Sequence, residues 1–214
     1  MVVNFLKDGA QSARTRILLA HGAGAPMDTP FMAAFAEGLA QRGFAVARFE
    51  FVYMAERRCG GKKRPPPRAE RLLDEFADAI TALGADDRLI IGGKSLGGRV
   101  ASMIAQQEYD AGRIAGLVCL GYPFHPPGRP EKLRTAHLMD LSLPVMIAQG
   151  TRDPFGGRDD VPGYGLPASF TIHWAEDGDH NLVPRKRSGR SPEQNWAAAC
   201  DAVAGWEQQL TDSQ

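Results

Sequence analysis

Short apolar runs alternate with longer amphipathic stretches along this chain, a pattern typical of a mostly parallel sheet covered by helices. Several of the short runs are continuous in Ile, Leu and Val, as expected for strands buried on both faces. We therefore predict an α/β fold with helices on both faces of the sheet. The six predicted strands lie at 16–20, 45–51, 88–91, 114–120, 144–149 and 170–174.

Four stretches carry apolar residues at helical spacing. The first begins at Pro30, behind Thr29 as a candidate N-cap. The last begins at Ser191, where Ser191 and Gln194 predict a capping box. The four helices are expected around 31–39 and at 68–83, 96–108 and 191–210.

Two stretches rich in Gly and Pro, 57–67 and 153–167, are predicted to be long loops. Both follow predicted strands, so both should lie at the carboxyl edge of the sheet, where open α/β sheets bind ligands. We find no internal repeat and no linker between domains. The prediction is one domain over 1–214.

The chain has 214 residues, and its 25 basic side chains equal its 25 acidic ones in number. This balance gives no overall attraction to nucleic acid or to an anionic membrane. The start of the sequence has no leader pattern, and no apolar run is long enough to span a membrane. We expect a small-molecule substrate and neither a nucleic-acid nor a membrane partner.

Three cysteines, Cys59, Cys119 and Cys200, are widely separated in the sequence. They form neither a disulfide framework nor a zinc-ligand pattern. A reducing cytoplasm is the location we predict, and no metal site is expected.

The segment Gly93-Lys94-Ser95-Leu96-Gly97 matches the pattern G-x-S-x-G. Chance gives roughly 0.1 matches per chain of this length, but here a strand pattern precedes the motif and a helix pattern follows it. A serine on such a sharp turn sits in strained backbone geometry, and the flanking glycines remove clashes. We predict Ser95 as a nucleophile and the Leu96 N–H as an oxyanion donor. The alternative is a glycine-rich turn that only packs a helix on a strand, and Lys94 is taken as an exposed turn residue.

Two nucleotide-binding motifs overlap this region, and neither is complete. A P-loop needs a glycine where Arg88 stands, and a dinucleotide fingerprint needs one at Met27. No nucleotide or other cofactor is therefore expected.

The chain resembles the α/β-hydrolase superfamily over about residues 16–210. It is most similar to the dienelactone-hydrolase-like branch, and within it to the small testis-expressed and NSL-complex-subunit hydrolases. The resemblance implies the α/β-hydrolase fold. It is carried by ILLAHGAGAPMDTPFM at 17–32, GGKSLGGR at 92–99, QGTRDPFG at 149–156 and DGDHN at 177–181.

This resemblance implies a triad in the chain order serine, acid, histidine. It places the acid at Asp153, with Asp159 and Asp160 as nearby competitors, and the base at His180. His180 would take the Ser95 proton, and Asp153 would orient the imidazole and stabilise its cation.

His21-Gly22-Ala23-Gly24 resembles the oxyanion loop of the family. The resemblance implies that the Ala23 N–H is the second oxyanion donor and that Gly22 allows close approach of substrate. A plain glycine-rich turn is the alternative.

Only about 20 residues separate the strands at 114–120 and 144–149, too few for a large helical lid, so we expect an open pocket for a small soluble substrate. Tyr122, Phe124 and His125 follow a strand and are candidates for the lining of this pocket. Aromatic packing under a loop explains them equally well. The basic segment 57–64 fits either recruitment of an anionic substrate or a solvated loop.

The predicted function is a serine hydrolase that cleaves a carboxylic ester through an acyl-enzyme intermediate. The sequence does not separate an esterase from a peptidase or transferase. An alternative of another class is a catalytically weak or inactive binding module on the same fold. Neither the acyl length nor the oligomeric state is specified by the sequence.

Overall fold

The computed structural model describes residues 3–62, 65–84 and 88–212. Seven strands in this part of the chain form one sheet. They are β1 (Phe5–Asp8), β2 (Thr15–Ala20), β3 (Ala45–Phe49), β4 (Arg88–Lys94), β5 (Gly116–Leu120), β6 (Val145–Gly150) and β7 (Thr171–Ala175). The strand order is β1-β3-β2-β4-β5-β6-β7, and only β1 runs antiparallel to its neighbour.

Five α-helices of the described residues cover the two faces of this sheet. They are α1 (Pro30–Ala40), α2 (Val52–Arg58), α3 (Leu73–Leu83), α4 (Leu96–Asp110) and α5 (Pro192–Asp212). Alternate residues of β2 show how the faces divide, because successive side chains of a strand point to opposite sides. Ile17 and Leu19 belong to the core beneath α1 and α5, whereas Leu18 and Ala20 belong to the core beneath α3 and α4. The prediction of a mostly parallel sheet with helices on both faces is confirmed.

The helix ends follow the capping signals in the sequence. Thr29 Oγ1 accepts a hydrogen bond from Met32 N at 3.3 Å at the start of α1. Ser191 and Gln194 form the reciprocal bonds of a capping box before α5. Gly84 ends α3 in the left-handed region, with φ of 55°. These local interactions explain why the helices could be located from sequence.

The predicted helix over 68–83 is shorter than expected. Ala69–Arg71 forms a 3-10 turn, and α3 begins only at Leu73. No side chain caps α3 at Leu72, so the capping bond that marks α1 and α5 is missing here.

Two elements were not predicted, β1 and α2. The strand β1 is short and mostly exposed or half-buried, and its pairing with β3 places it at the edge of the sheet. In α2 only Met54 is buried, and the Val52 N–H is capped by the distant carboxylate of Glu75 at 2.7 Å. Both elements depend on partners far away in the sequence.

The loop predicted over 57–67 is therefore wrong in its first part, because Arg57 and Arg58 belong to α2. Arg58 contacts two acidic side chains, Glu50 and Asp28, at 2.7 Å each, so its charge is already paired. Lys63 and Arg64 lie outside the described residues.

The carboxyl edge of the sheet gathers the candidate catalytic residues. Ser95 follows β4, Asp153 follows β6 and His180 follows β7. Between β5 and β6, where every residue is described, the only regular element is the 3-10 turn Ala136–Leu138, so this connection forms no helical lid. In the described residues no helix is both long and apolar enough to cross a membrane.

Candidate active site

Ser95 occupies a sharp turn between a buried strand and a helix. Its φ of 51° and ψ of −109° are rare for a residue with a side chain, so the turn is strained. Its N–H donates to the Leu120 carbonyl at 3.1 Å, and its carbonyl accepts from Arg99 N at 2.9 Å. These bonds to β5 and to the first turn of α4 hold the strained conformation.

The glycines of the motif allow the turn to pack against β2. A Cβ on Gly97 would lie 2.4 Å from the Ala20 carbonyl oxygen, and one on Gly93 would lie equally close to the same atom. A real Cβ is not found at such a distance from backbone oxygen. The motif glycines are therefore required by close backbone approach.

Ser95, His180 and Asp153 form a continuous hydrogen-bonded chain. Ser95 Oγ lies 2.8 Å from His180 Nε2, and His180 Nδ1 lies 2.8 Å from Asp153 Oδ2. An ionised carboxylate only accepts hydrogen bonds, so Nδ1 carries the proton and Nε2 is free to accept from the serine hydroxyl. This is the arrangement in which an imidazole can take a proton from serine.

Asp153 is held by donors other than His180. The amide of Gln149 donates to Asp153 Oδ2 at 2.9 Å, and Phe155 N donates to Oδ1 at 2.8 Å. The Gln149 Oε1 accepts in turn from Tyr122 N at 2.7 Å. Sequence reasoning missed Gln149, because only the fold shows that its side chain reaches the acid.

Burial lowers the pKa of His180 below its ordinary value of 6.5. The hydrogen bond to Asp153 opposes this effect, and the nearby Lys94 ammonium adds to it. The histidine is therefore neutral at physiological pH, which is the state that a general base needs.

The loop that carries His180 is anchored to α5. Trp196 Nε1 donates to the Asn181 carbonyl at 2.9 Å, and Asn195 Nδ2 donates to the Leu182 carbonyl at the same distance. Leu182 itself has a positive φ of 59° although it is fully buried. These side-chain bonds stabilise an irregular backbone next to the histidine.

The predicted oxyanion loop is fixed by two aromatic side chains. His21 is fully buried, with Nδ1 2.7 Å from the Gly22 carbonyl and Nε2 accepting from Phe51 N at 3.2 Å. Tyr53 donates its hydroxyl to the Ala23 carbonyl at 3.0 Å. His21 therefore ties down the loop and takes no part in the serine–histidine contact.

The hydroxyl of Ser95 and the ring of His180 open onto a cleft of about 510 Å³. Gly22, Ala23 and Lys94 belong to its lining, and Lys94 is the only fully charged side chain among the described lining residues. The helix α4 begins at Leu96, directly after the serine, so the first N–H groups of α4 lie at the cleft. Its larger apolar lining residues are Phe31, Met32, Phe155, Val183 and Trp196.

The prediction that Lys94 is an exposed turn residue is wrong. It is the last residue of β4, and only 7% of its surface is exposed. It lies between the oxyanion loop and the histidine loop, which cannot be deduced from its place in the motif.

The prediction that Tyr122, Phe124 and His125 line the pocket is also wrong. Tyr122 and Phe124 have no exposed surface and His125 is 4% exposed. Phe124 packs so closely on Gly156 that a Cβ there would lie 2.8 Å from its ring. The three residues pack beneath the loop that carries Asp153. Because they are buried there, they cannot contact a substrate in the cleft.

A second serine–histidine contact involves Ser102, which lies within α4. Ser102 Oγ is 2.8 Å from His137 Nε2, and the two residue types fit a nucleophile and a base. Ser102 is only 1% exposed, however, and it also lies 2.7 Å from the Arg99 carbonyl. Among the described residues no carboxylate contacts His137. The two pairs therefore differ in access to solvent and in the presence of an acid.

No three His, Cys, Asp or Glu side chains of residues 3–62, 65–84 and 88–212 are grouped as metal ligands. The three cysteines are unpaired, with Cys59 exposed and the other two buried.

Comparison with solved structures finds the same fold in many proteins. A dienelactone hydrolase from Anabaena variabilis is 17% identical, with a TM-score of 0.69 over 97% of this chain and 91% of that one. Est1E from Butyrivibrio proteoclasticus, with ferulic acid bound, is 16% identical, with a TM-score of 0.69 over 96% of each chain. A serine hydrolase without a lid from Xanthomonas campestris is 17% identical, with a TM-score of 0.66 over 95% and 89%.

These similarities include the dienelactone-hydrolase-like structures that the sequence resembles, whereas the resemblance to testis-expressed and NSL-complex-subunit hydrolases stays a prediction. The sequence model of the family described as "Alpha/beta hydrolase domain" matches residues 13–208, nearly the whole chain. The strand order and the turn at Ser95 agree with that match. The chain therefore belongs to the alpha/beta hydrolase domain family.

Proposed function

We propose that this protein is a serine hydrolase that cleaves carboxylic esters of small substrates. In this proposal Ser95 is the nucleophile, His180 the general base and Asp153 the acid. The observation that carries the proposal is the hydrogen-bonded chain of these three side chains, with 2.8 Å at each step, which reaches a cleft lined by Ser95 and His180.

In the first step Ser95 Oγ attacks the ester carbonyl carbon while His180 Nε2 takes the hydroxyl proton. The tetrahedral intermediate then collapses, and the C–O bond to the alcohol breaks as His180 returns the proton to the leaving oxygen. Water attacks the acyl-enzyme in the second step, again losing its proton to His180. In the breakdown of the second intermediate the bond from the acyl carbon to Ser95 Oγ breaks, His180 returns the proton to Ser95 Oγ, and the acid is released.

The oxyanion of each intermediate is assigned to the backbone N–H groups of Leu96 and Ala23. The first N–H groups of a helix have no partner within it, so the Leu96 N–H at the start of α4 can serve as a donor. The Ala23 N–H shares its peptide unit with the Gly22 carbonyl, which His21 Nδ1 holds at 2.7 Å, and the bond from Tyr53 to the Ala23 carbonyl anchors the next peptide of the loop. One such donor typically contributes about 3–4 kcal/mol to the transition state.

The cleft favours small substrates with an apolar acyl or alcohol group. Its volume of about 510 Å³ is within the usual range of small-molecule sites, about 300–1,000 Å³. The aromatic side chains Phe31, Phe155 and Trp196 contribute much of its wall. We therefore expect p-nitrophenyl esters of short acyl chains to be turned over faster than those of long chains.

Labelling with a fluorophosphonate probe tests the assignment of the nucleophile. We expect the folded wild-type protein to be labelled and the Ser95→Ala variant to remain unlabelled. Ser102→Ala is the matched control, because it removes the other serine that contacts a histidine. It should be labelled at the wild-type rate.

The outcomes separate the three candidate interpretations. Absence of labelling in folded wild-type protein would support a binding module on a hydrolase fold. Labelling that is lost in Ser102→Ala and kept in Ser95→Ala would identify Ser102, with His137 as its base, as the site of labelling. A His180→Ala variant that is labelled as fast as wild type would contradict the role of His180 as base.

A further inference from the structure

Lys94 links the two loops that carry the serine and the histidine. It immediately precedes Ser95, and its ammonium group donates a hydrogen bond to the main-chain carbonyl of His180. The bond therefore joins residues 86 positions apart in the chain. Through this bond a side chain of the turn at Ser95 directly contacts the backbone of His180.

The side chain of Lys94 is enclosed along its length. The Phe31 ring covers the ammonium group, with 5.2 Å from Nζ to the ring centroid. A Cβ on Gly22 would lie 3.4 Å from Lys94 Cγ, and a Cβ on Gly121 would lie 2.8 Å from Nζ. Glycine at these two positions leaves the space that the lysine fills.

Lys94 forms no salt bridge within 4.0 Å with any carboxylate of the described residues. Burial lowers its pKa to about 8, and the more distant charges of Asp153 and Asp179 oppose that shift. Beside these two carboxylates, the imidazole of His180 is the titratable group that faces it. The positive charge is thus retained near neutral pH at a cost in solvation.

We propose that Lys94 is a positioning residue, whose ammonium group holds the His180 carbonyl and so keeps the imidazole in hydrogen-bond contact with Ser95. This inference rests on the proposed function, because the position of His180 matters for catalysis only if His180 is the base that serves Ser95. The geometry supports it because Lys94 and Ser95 are adjacent on one rigid turn. A side chain anchored at one end to this turn and at the other to His180 fixes the separation of serine and histidine.

The neighbouring carbonyl shows that this part of the loop depends on such anchors. Trp196, on α5, donates its indole N–H to the Asn181 carbonyl at 2.9 Å. Without Lys94 the loop would keep its attachment to α5 and lose the one to β4. We therefore expect local displacement of His180 and retention of the fold.

The ammonium group has a second, electrostatic effect on the histidine. A positive charge a few ångströms away disfavours the imidazolium, so Lys94 lowers the pKa of His180. His180 titrates below 6.5, where Lys94 is fully protonated, so the effect acts over the whole histidine titration. Removing the charge should raise the pKa of His180 by about one unit.

NMR of the histidine in Lys94→Met tests both effects without requiring turnover. Methionine keeps the length of the stem and removes the donor and the charge. We expect the His180 pKa to rise by about one unit and the Nδ1 proton shared with Asp153 to exchange with solvent about tenfold faster. Lys94→Gln keeps an N–H donor but has no charge. It should raise the His180 pKa as much as Lys94→Met does, but the Nδ1 proton should exchange more slowly than in Lys94→Met. Lys132→Met, at an exposed lysine, is the control and should change neither property.

If the variants do not fold, a pH titration of the wild-type protein tests the proposal instead. With carbonyl-labelled histidine, the His180 carbonyl resonance should shift with a midpoint equal to that of Lys94 Nζ, near pH 8. Absence of that step, or an unchanged His180 pKa and proton exchange in folded Lys94→Met, overturns the proposal. These readouts do not involve the probe, so the fluorophosphonate result on wild type reports on the proposed function separately.

Discussion

Gln149 donates a hydrogen bond of 2.9 Å from its side-chain amide to Asp153 Oδ2, the oxygen that also accepts from His180. Gln149 is fully buried, and its own oxygen accepts from Tyr122 N. One amide thus connects the carboxylate to the backbone that follows β5. The position of the Asp153 carboxylate therefore depends on a buried residue outside the lining of the cleft.

Gln149→Leu should lower the free energy of unfolding by about 2–4 kcal/mol, because it leaves the Tyr122 N–H and part of the Asp153 carboxylate buried without partners. Urea unfolding at neutral pH measures the change. Gln107→Leu, at an exposed position of α4, is the control and should change stability by less than about 0.5 kcal/mol. Equal effects of the two substitutions would show that the Gln149 amide is not needed to satisfy these groups.

Gly97→Ala and Gly205→Ala should act in opposite directions. A Cβ at Gly97 would lie 2.4 Å from the Ala20 oxygen, so the turn must shift away from β2, at a cost of about 1–3 kcal/mol. Gly205 lies within α5 with open space around its Cα, and alanine there should stabilise by about 0.5–1 kcal/mol. Thermal unfolding of both variants checks the signs, and a Gly97→Ala protein as stable as wild type would contradict the argument from close approach.

The strained turn at Ser95 and most of the helices could be predicted from sequence because their causes are local. The strain at Ser95 requires the flanking glycines within two residues, and Thr29 caps α1 through a bond to Met32, three residues away. Gly84 ends α3 by its own backbone conformation. Such signals lie inside a short window of sequence.

The elements and contacts that were missed depend on distant partners. The strand β1 exists through its pairing with β3, some 40 residues later in the chain. Phe31 covers the ammonium group of Lys94, and Gln149 holds the backbone of Tyr122, and both partners are distant in the sequence. No local pattern distinguishes a lysine on an exposed turn from one enclosed by two loops.

Tyr53→Phe should lower the rate of probe labelling about tenfold while the fold stays intact. The lost hydroxyl holds the Ala23 carbonyl, and a looser loop presents its N–H less accurately to the oxyanion. Rates of labelling at several probe concentrations measure the effect.

Tyr164→Phe is the matched control for this substitution. The Tyr164 hydroxyl is buried without a hydrogen-bond partner among the described residues, so its removal should leave labelling unchanged and stability equal or slightly higher. If the labelling rate falls equally in both tyrosine variants, loss of the bond to the Ala23 carbonyl is not the cause of the slower labelling.

The rate of labelling should fall on the acid side with a midpoint below pH 6.5. His180 must be neutral to accept the Ser95 proton, and burial lowers its pKa, so activity is present above this lowered pKa and is lost as pH falls through it. Below the midpoint the rate should fall about tenfold for each pH unit. His173→Gln is the control, because burial also lowers the pKa of His173, on β7, but it lies outside the candidate site. This variant should have the same midpoint as the wild-type protein. A wild-type midpoint above pH 6.5, or a midpoint that changes in His173→Gln, would assign the loss of labelling at low pH to a group other than His180.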